Sequence, residues 1–276
     1  MELIRMSKLK KAGVVILNYI NYKDTIECVR SFLRQKDVNL EIVIIDNGSP
    51  NESYKILTEY FKGYKNINII KNMENKGYSK GNNVGIQFLQ KLNLNFIIIA
   101  NSDTKLLSDN TIFFLISAYK PNIAVISPNI KNMDGSNDLY VVYKKRFLKL
   151  RLIKACLQAI FWRKPLLVNT SVVKNKNIPK IDNNVIGLTG SFYMLTPSFF
   201  KYYRGLFNKT FLYGEENATI ECLRKKNLDS LKCSNDETLV VHKGAASSSE
   251  VLRVSNRKKK LMAKSAIKVL GFIIFG

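Results

Sequence analysis

Histidine and cysteine, the residues from which most zinc-type sites are built, are scarce in this sequence. There is one His in 276 residues, and the four Cys are Cys28, Cys156, Cys222 and Cys233. These cysteines form no CxxC pair and show no zinc-type spacing, so a zinc ribbon or a multi-histidine centre is excluded. Without a framework of paired cysteines, a reduced intracellular setting follows most simply.

Long apolar runs are also lacking. No run in the sequence reaches the roughly 18 to 20 residues that a membrane-spanning helix needs. Residues 1–11 are basic but lead into a strand pattern, without the apolar core and small-residue cleavage site of a signal peptide. We therefore expect that the protein lies on a membrane surface if it meets a membrane at all.

Acidic residues are few relative to basic ones. The sequence has 21 Asp and Glu and 44 Lys and Arg, which gives a formal charge of +23. Such an excess favours anionic partners, and nucleic acid, anionic lipid and phosphorylated substrates all qualify. Hydrophobic residues make up 46% and charged residues 24%, which is ordinary globular composition. A folded protein with a sizeable core is expected.

Short apolar strands alternate with amphipathic helices through the first hundred residues. The pattern predicts strands at 14–17, 41–45, 67–70 and 96–100, and helices from a capping box at 24–27, at 52–62 and after a glycine-bearing loop at 75–83. This alternation predicts a mainly parallel sheet with right-handed crossovers. The polar loops after Leu17, Ile45 and Ala100 then meet at the carboxyl ends of the strands, where open α/β sheets bind ligands.

Several polar groups at strand and helix ends have both a functional and a structural interpretation. Asp103 follows a buried strand, but Asn, Ser and Asp also form turns for backbone reasons. Glu215 and Glu216 open a helix, where acids favour the macrodipole. His242 ends a strand at 238–241, and a lone His is often structural. Loop 75–83 is neither GxGxxG nor a P-loop, and helix capping with close packing at Gly81 is the more frequent explanation of such a loop.

Two later segments, 140–168 and 256–276, mix Lys and Arg with bulky apolar residues. Basic amphipathic segments of this kind suit an anionic membrane surface. A solvated basic helix that packs on the domain by its apolar side is the alternative. A glycine-containing strand pattern at 187–195 lies between them, where glycines permit close approach of a ligand or another backbone.

Seven motifs in chain order carry a family resemblance. They are Asn18-Tyr19, Asp46-Asn47-Gly48-Ser49, residues 75–83, Asn101-Ser102-Asp103, Gly190-Ser191-Phe192, Gly214-Glu215-Glu216 and His242-Lys243. Together they resemble family 2 glycosyltransferases of the GT-A fold, most of all bacterial enzymes that build O-antigen or capsular polysaccharide. The resemblance implies an α/β fold with a Rossmann-like, mainly parallel central sheet, helices on both faces and a smaller acceptor-side half.

The resemblance also implies boundaries and donor-binding residues. Residues 1–104 form the nucleotide-sugar-binding half, 105–245 the acceptor-binding and catalytic half of the same domain, and 246–276 a basic amphipathic tail. Asp46 accepts an N–H of the base, and Lys80 shares the diphosphate charge. The implied donor-binding residues are Asn18, Tyr19, Asp46, Lys80, Asn82, Asn101 and Ser102.

Metal and catalytic roles follow from the same resemblance. Asp103 ligates Mg²⁺ or Mn²⁺, and His242 assists if the ion is Mn²⁺. One carboxylate, the donor diphosphate and waters can complete such a shell. Glu216 is the catalytic base, with Glu215 as the second choice.

The implied reaction is inverting transfer of a hexose or deoxyhexose from a UDP- or dTDP-sugar to a glycan hydroxyl. The acceptor is expected to be polyprenyl-diphosphate-linked, and the enzyme cytoplasmic and peripheral on the inner face of the bacterial membrane, in O-antigen or capsule synthesis. A nucleotidyltransferase of similar fold is one alternative, and an inactive membrane-surface scaffold is another. A nucleic-acid-binding protein is the third, but RNP, zinc-finger and helix-turn-helix signatures are absent from the sequence.

Overall fold

The structure is a computed structural model that describes residues 9–138, 140–161, 185–233, 235–244 and 256–276. The predictions for residues 1–8, for 162–168 in the first basic segment and for 246–255 in the tail fall outside these ranges. The strands are β1 Lys10–Asn18, β2 Val38–Asp46, β3 Ile67–Lys71, β4 Ile97–Asn101, β5 Thr104–Leu106, β6 Ile123–Ser127, β7 Asn129–Asn132, β8 Val141–Lys144, β9 Val185–Leu188, β10 Phe192–Leu195, β11 Asp229–Lys232 and β12 Leu239–His242. The helices are α1 Tyr22–Leu33, α2 Ser53–Tyr60, α3 Tyr78–Lys91, α4 Thr111–Ser117, α5 Leu148–Phe161, α6 Pro197–Phe200, α7 Glu215–Lys225 and α8 Asn256–Phe275.

Among the described residues, the central sheet has seven strands in the order β11-β6-β10-β4-β1-β2-β3. Its strands pair in parallel except for β10, which runs antiparallel to both β4 and β6. A three-stranded sheet, β5-β12-β7, and the pair β8-β9 stand beside it. The mainly parallel α/β architecture is confirmed, and strands from both predicted halves share the central sheet.

Helices cover both faces of this sheet, because successive side chains of a strand point to opposite faces. Val15 of β1 packs into one core cluster with residues of α3, α5, α7 and α8. Val14 and Ile16 pack into the other cluster, with residues of α1, α2 and α4. Burial on both faces explains why these strands are continuously apolar.

Two local predictions need correction. Helix α1 begins at Tyr22, and its cap is Asn21, whose side chain accepts the N–H of Asp24 at 3.3 Å. The predicted capping box at 24–27 is therefore wrong, because an Asn at the cap position satisfies that N–H first. Residues 78–83 belong to α3 rather than to a loop, since the chain turns into the helix at Gly77, where φ is 78°.

The glycines of α3 let the helix lie close to the central sheet. A Cβ at Gly81 would stand 2.6 Å from Leu17 Cδ1, and one at Gly85 would stand 2.6 Å from Val15 Cγ1. Real Cβ atoms do not approach so closely, so a larger residue at either position would force the Leu17 or Val15 side chain to shift. For Gly81 the packing interpretation is confirmed.

The two basic segments form helices that pack against each other. One face of α5 is buried through Leu152, Cys156 and Ala159, and α8 buries Ala266 and Val269 in the same cluster. Other apolar side chains of these helices stay exposed, among them Leu150, Phe161, Ile267 and Phe275. In the described ranges, no helix combines the length and apolar character needed to cross a membrane.

Candidate active site

The polar ends of three adjacent strands form the floor of the candidate site. In the β1–β2 pair Asn18 lies opposite Asp46, and in the β1–β4 pair Leu17 lies opposite Asn101. Strands in a sheet are about 4.8 Å apart, so the ends of β2 and β4 lie about 10 Å from each other. The predicted meeting of these loops at one end of the sheet is confirmed.

Asn18 and Asp46 are completely buried and bonded to each other. The Asn18 amide donates to Asp46 Oδ2 at 2.8 Å, and Asp46 Oδ1 accepts the Ser49 N–H at 3.0 Å. Asn18 Oδ1 in turn accepts the Thr25 hydroxyl at 2.8 Å. These bonds hold the loops after β1 and β2 together, while the neighbouring Tyr19 is partly exposed.

Asn47 is a hub that sequence reasoning treated only as part of a turn. Its amide donates to Asn75 Oδ1 at 3.0 Å and to the Gly77 carbonyl at 3.3 Å. Its Oδ1 accepts from Asn72 Nδ2 at 3.0 Å and from the Lys76 N–H at 3.2 Å. One buried side chain thereby joins the end of β2 to the loop that leads into α3.

The predicted donor residues on α3 have different surroundings. Lys80 is exposed on the first turn of the helix, whereas Asn82 is buried and donates to the Tyr78 carbonyl at 3.1 Å. Asn82 Oδ1 is buried without a hydrogen-bond partner in the described part of the chain. Asn82 therefore faces the protein interior, and Lys80 faces solvent.

Asp103 and His242 are brought together by the small sheet. Asp103 lies in the turn between β4 and β5, and β12 runs antiparallel to β5 so that His242 lies opposite Thr104. The distance between Asp103 Oδ1 and His242 Nε2 is 3.3 Å. The turn has a structural side too, because the Asn101 carbonyl accepts the Thr104 hydroxyl at 2.7 Å and Ser102 is buried.

His242 also contacts Asp138, which sequence reasoning missed. Its Nδ1 lies 3.1 Å from Asp138 Oδ2. Burial lowers the pKa of His242, but hydrogen bonds and charge from Asp103 and Asp138 outweigh it and raise the pKa to about 10. Asp138 follows Asp134 and Gly135 in a segment that resembles ordinary turn chemistry, so no local signal distinguished it.

The donor set at this point fits a divalent cation. Carboxylate oxygen and imidazole nitrogen are ligands for Mn²⁺, and oxygen ligands suit Mg²⁺. Asp103 and His242 bring one of each together. Across the residues that the structure covers, no three His, Cys, Asp or Glu side chains are arranged to hold a metal alone. A cation bound here would take its remaining ligands from water or a bound substrate.

The two glutamates at the start of α7 have distinct environments. The helix follows Tyr213 and Gly214, whose φ angles are 72° and 86°, and this turn aims both acids inward. Glu215 is 9% exposed and accepts from the buried Thr210 hydroxyl at 3.4 Å. Glu216 is less buried and lies against Gly190, where a methyl group would overlap its Oε1.

Both glutamates have raised pKa values. Burial, followed by the charge of Glu216, raises the pKa of Glu215 to about 8. Burial also raises the pKa of Glu216, and the charge of Asp138 adds to it. Buried acids with raised pKa values are suited to proton transfer near neutral pH.

Tyr78 connects the α3 side of the site to the Glu216 side. Its hydroxyl donates to the Gly190 carbonyl at 2.7 Å, and its N–H donates to the Phe211 carbonyl at 2.8 Å. Burial raises the pKa of Tyr78 and of its partner Tyr193, so both phenols remain neutral. The start of α3 is therefore bonded to the segments before β10 and before α7.

The mainly parallel central sheet, with β10 inserted antiparallel and helices on both faces, is the fold of GT-A glycosyltransferases. The sequence profile described as Glycosyl transferase family 2 matches residues 13–178. The chain belongs to this family, which confirms the resemblance read from the motifs.

Two curated relatives cover about half of the chain. The low-salt glycan biosynthesis hexosyltransferase Agl10 of Haloferax volcanii is 26% identical over 133 residues, 48% of this chain and 40% of the relative. Glycosyltransferase GlyG of Streptococcus pneumoniae is 27% identical over 132 residues, 48% of this chain and 42% of the relative. The chain thus matches less than half the length of each.

Solved structures share the fold along most of the chain. The mannosyltransferase PcManGT of Pyrobaculum calidifontis, solved with GDP-Man and Mn²⁺, has a TM-score of 0.57 at 9% identity, covering 96% of this chain and 74% of its own. S. aureus TarS 1-349 with UDP has a TM-score of 0.54 at 14% identity, covering 96% and 70%. At these identities the likeness concerns the fold.

Proposed function

We propose that this protein catalyses inverting transfer of a sugar from a nucleoside-diphosphate sugar to an acceptor hydroxyl. The observation that carries the proposal is the connection between the two acidic centres. Asp138 contacts His242 at 3.1 Å and Ser191 at 2.6 Å, and the adjacent Gly190 lies against Glu216. This connection supports one site in which the Asp103–His242 pair would bind a metal and the partly buried Glu216 would act as base.

Glu216 is the proposed base. Its carboxylate takes the proton of the acceptor hydroxyl as that oxygen attacks the anomeric carbon from the face opposite the diphosphate. Glu215 is the less suitable choice, because it points toward buried Thr210. Burial and the charge of Glu216 raise the pKa of Glu215, which favours one negative charge over two in this turn.

Asp103 and His242 are the proposed ligands of a divalent cation. When bound, such an ion supplies charge neutralisation for the departing diphosphate. Asn18 and Asp46 shape the base and ribose subsite with Tyr19, and Asn101 and Ser102 form the turn that presents Asp103. Lys80 completes the proposed donor side from the exposed face of α3, and Asn82, which is buried, supports that turn from the interior. The assignment of each of these roles to this chain rests on the family resemblance.

The finer assignment is a cell-surface glycan pathway with a UDP- or dTDP-sugar donor and a polyprenyl-diphosphate-linked acceptor. Its support is the function of relatives, which include the glycan hexosyltransferase Agl10 and a teichoic acid poly(glycerol phosphate) polymerase of Staphylococcus epidermidis. We place such an enzyme in the cytoplasm, on the inner face of the membrane.

Helix α5 is the proposed membrane contact. A shallow apolar groove along it is lined by Leu150, Ile153, Leu157 and Phe161, with Lys154 at its side. Leu150 is 63% exposed and Phe161 72%, unusual values for large apolar side chains. Exposed apolar residues flanked by lysine suit an anionic lipid surface.

The test of sugar transfer uses Glu216→Gln. We expect the variant to bind the donor normally and to lose roughly 10² to 10⁴ in turnover, because a positioned base contributes about that much. A melting-temperature screen of UDP-, dTDP- and GDP-sugars with Mn²⁺ identifies the donor, since a ligand that binds the native state stabilises it. Transfer is then measured with that donor.

The matched control is Glu237→Gln, which changes an exposed glutamate in the same way and should leave turnover intact. Asp103→Ala should weaken Mn²⁺-dependent stabilisation by the donor. Full turnover by Glu216→Gln would show that the base is elsewhere, and no stabilisation by any nucleotide sugar would remove the donor class.

The membrane contact is tested by co-sedimentation with phosphatidylglycerol and with phosphatidylcholine vesicles. We expect binding to the anionic vesicles that weakens in high salt, because salt screens charges beyond about 10 Å at 0.1 M. Leu150→Glu should reduce binding, while Leu107→Glu, at another exposed leucine, should not. Equal binding to both lipids would exclude the electrostatic part of the proposal.

A further inference from the structure

Asp138 makes a set of contacts that a turn residue does not need. Its Oδ2 lies 3.1 Å from His242 Nδ1 and accepts the Ser191 hydroxyl at 2.6 Å, and the Thr189 hydroxyl lies 3.4 Å away. The side chain is 11% exposed, and that of His242 is 16% exposed. The Asp138 carboxylate therefore accepts from hydroxyl groups on one side and faces Nδ1 of His242 on the other.

The backbone around Asp138 is also held in place. Its N–H donates to the Ile130 carbonyl at 3.0 Å, and Lys131 bridges Asn137. In the small sheet β12 pairs with β7 so that His242 lies opposite Asn132. The turn that follows β7 is thereby folded back beside the end of β12, and Asp138 reaches the far side of the imidazole from Asp103.

The two nitrogens of His242 therefore face different carboxylates. Nε2 is 3.3 Å from Asp103 Oδ1, and Nδ1 is 3.1 Å from Asp138 Oδ2. A histidine that ligates a metal through one nitrogen commonly donates the hydrogen on its other nitrogen to a carboxylate, which fixes the ring and its tautomer. The arrangement around His242 has this form.

We propose that Asp138 is a positioning residue: it holds the His242 ring through Nδ1 and so directs Nε2 to the divalent cation beside Asp103. The inference rests on the proposed function, because it assumes that the cation binds there. Ser191 and Thr189 anchor the Asp138 carboxylate, so the segment before β10 contributes to the metal site without touching the metal.

The experiment measures Mn²⁺ affinity of the full chain by electron paramagnetic resonance of free Mn²⁺, without sugar transfer. We expect Asp138→Asn to weaken Mn²⁺ binding roughly 10- to 100-fold, the usual loss when such an outer partner is changed. An amide can present its own N–H to Nδ1 and stabilise the wrong tautomer. Asp138→Glu, which keeps the carboxylate, should recover part of the affinity.

Two variants define the baseline. His242→Ala should lose most of the binding, and Asp134→Asn, at an exposed aspartate four residues before Asp138, should bind Mn²⁺ within twofold of the wild type. The melting temperature of each metal-free variant is measured alongside, so that lost affinity is separated from lost folding. If Asp138→Asn does not fold, Ser191→Ala replaces it, with a several-fold loss expected because the carboxylate loses an anchor.

The outcomes separate this inference from the proposed function. The role of Asp138 would be wrong if Asp138→Asn, or its substitute Ser191→Ala, kept the wild-type Mn²⁺ affinity while His242→Ala lost it. That result would still support the metal site itself. If His242→Ala binds Mn²⁺ like the wild type, both this inference and the metal role of His242 are wrong. Sugar transfer and its dependence on Glu216 are tested separately.

Discussion

The loops after β1 and β2 and the turn before α7 both bury carboxyl groups, under different conditions. Asp46 is fully buried and accepts hydrogen bonds from the Asn18 amide at 2.8 Å and the Ser49 N–H at 3.0 Å. Glu215 is almost as buried, but its bond from Thr210 is 3.4 Å long and a second carboxyl follows it in the chain.

This difference indicates that Asp46 has a structural role and that the glutamates at the start of α7 are the reactive groups. A buried carboxylate with short bonds to donors holds its loops in place, and disturbing it costs stability. A buried carboxyl beside another acid has a raised pKa, as Glu215 and Glu216 do, and is ready to exchange protons. Changes on the α7 side should therefore alter turnover, and changes in the β1–β2 loops should alter the free energy of unfolding together with the donor subsite that these loops shape.

Gly190→Ala should produce the largest effect. A methyl group there would overlap Glu216 Oε1, so the carboxylate must move. A displacement of about 1 Å in a catalytic group costs roughly 10²-fold in turnover, so activity should fall by that factor while the melting temperature changes little. Gly63→Ala is the control, because a Cβ there meets no atom within 4 Å. Normal turnover in Gly190→Ala would mean that the position of Glu216 does not matter.

Asn47→Ala should mainly reduce stability. The substitution removes four hydrogen bonds, of which the one to the Gly77 carbonyl and the one from the Asn72 amide are buried. Each unsatisfied buried group costs about 1 to 3 kcal/mol, so the free energy of unfolding should fall by at least about 2 kcal/mol in denaturant titration. Asn208→Ala, at an exposed asparagine, should change it by less than about 0.5 kcal/mol. Equal stability of the two variants would contradict the hub role.

Glu215→Gln should change how stability depends on pH. The folded-state pKa of Glu215, about 8, lies above its unfolded value, so its contribution is fully present below the unfolded pKa and is lost as pH rises through about 8. The variant should therefore gain stability relative to the wild type between about pH 5 and pH 9, measured as the difference in melting temperature. A constant difference over that range would show that Glu215 is not buried as an acid.

Ile20→Gly should give the smallest effect, an increase in stability. Ile20 has a φ of 70°, a left-handed conformation that is strained for a β-branched side chain, and it is 38% exposed, so little packing is lost. We expect about 1 kcal/mol of stabilisation in denaturant titration, offset partly by the flexibility of glycine in the unfolded chain. Arg34→Gly, at the exposed end of α1 where φ is −84°, should destabilise instead.

The fold was largely predictable because the residue pattern of each strand indicates how that strand is buried. Continuous apolar runs such as 97–100 indicate burial on both faces, and polar clusters after them mark the strand ends. The antiparallel direction of β10 was not predictable, since four apolar residues pair equally well in either direction.

The site was predictable where a motif stands at a strand or helix end, as Asp103, Glu216 and His242 do. Asp138 was not, because its neighbours resemble a turn and its partner is 104 residues away. From the sequence, Gly190 indicated only that another group approaches the backbone closely there. That this group is the Glu216 side chain depends on how α7 packs, which the local sequence does not predict.

The insertion of β10 between β4 and β6 has a practical consequence for dividing the chain. A fragment that stops at residue 104 would leave Ile97–Asn101 as an open edge strand, with unpaired backbone groups and apolar side chains in water. Such edges recruit other chains and promote aggregation. The donor-side portion is therefore expected to precipitate when expressed alone, and to become soluble again only when residues 192–195 are supplied in the same polypeptide.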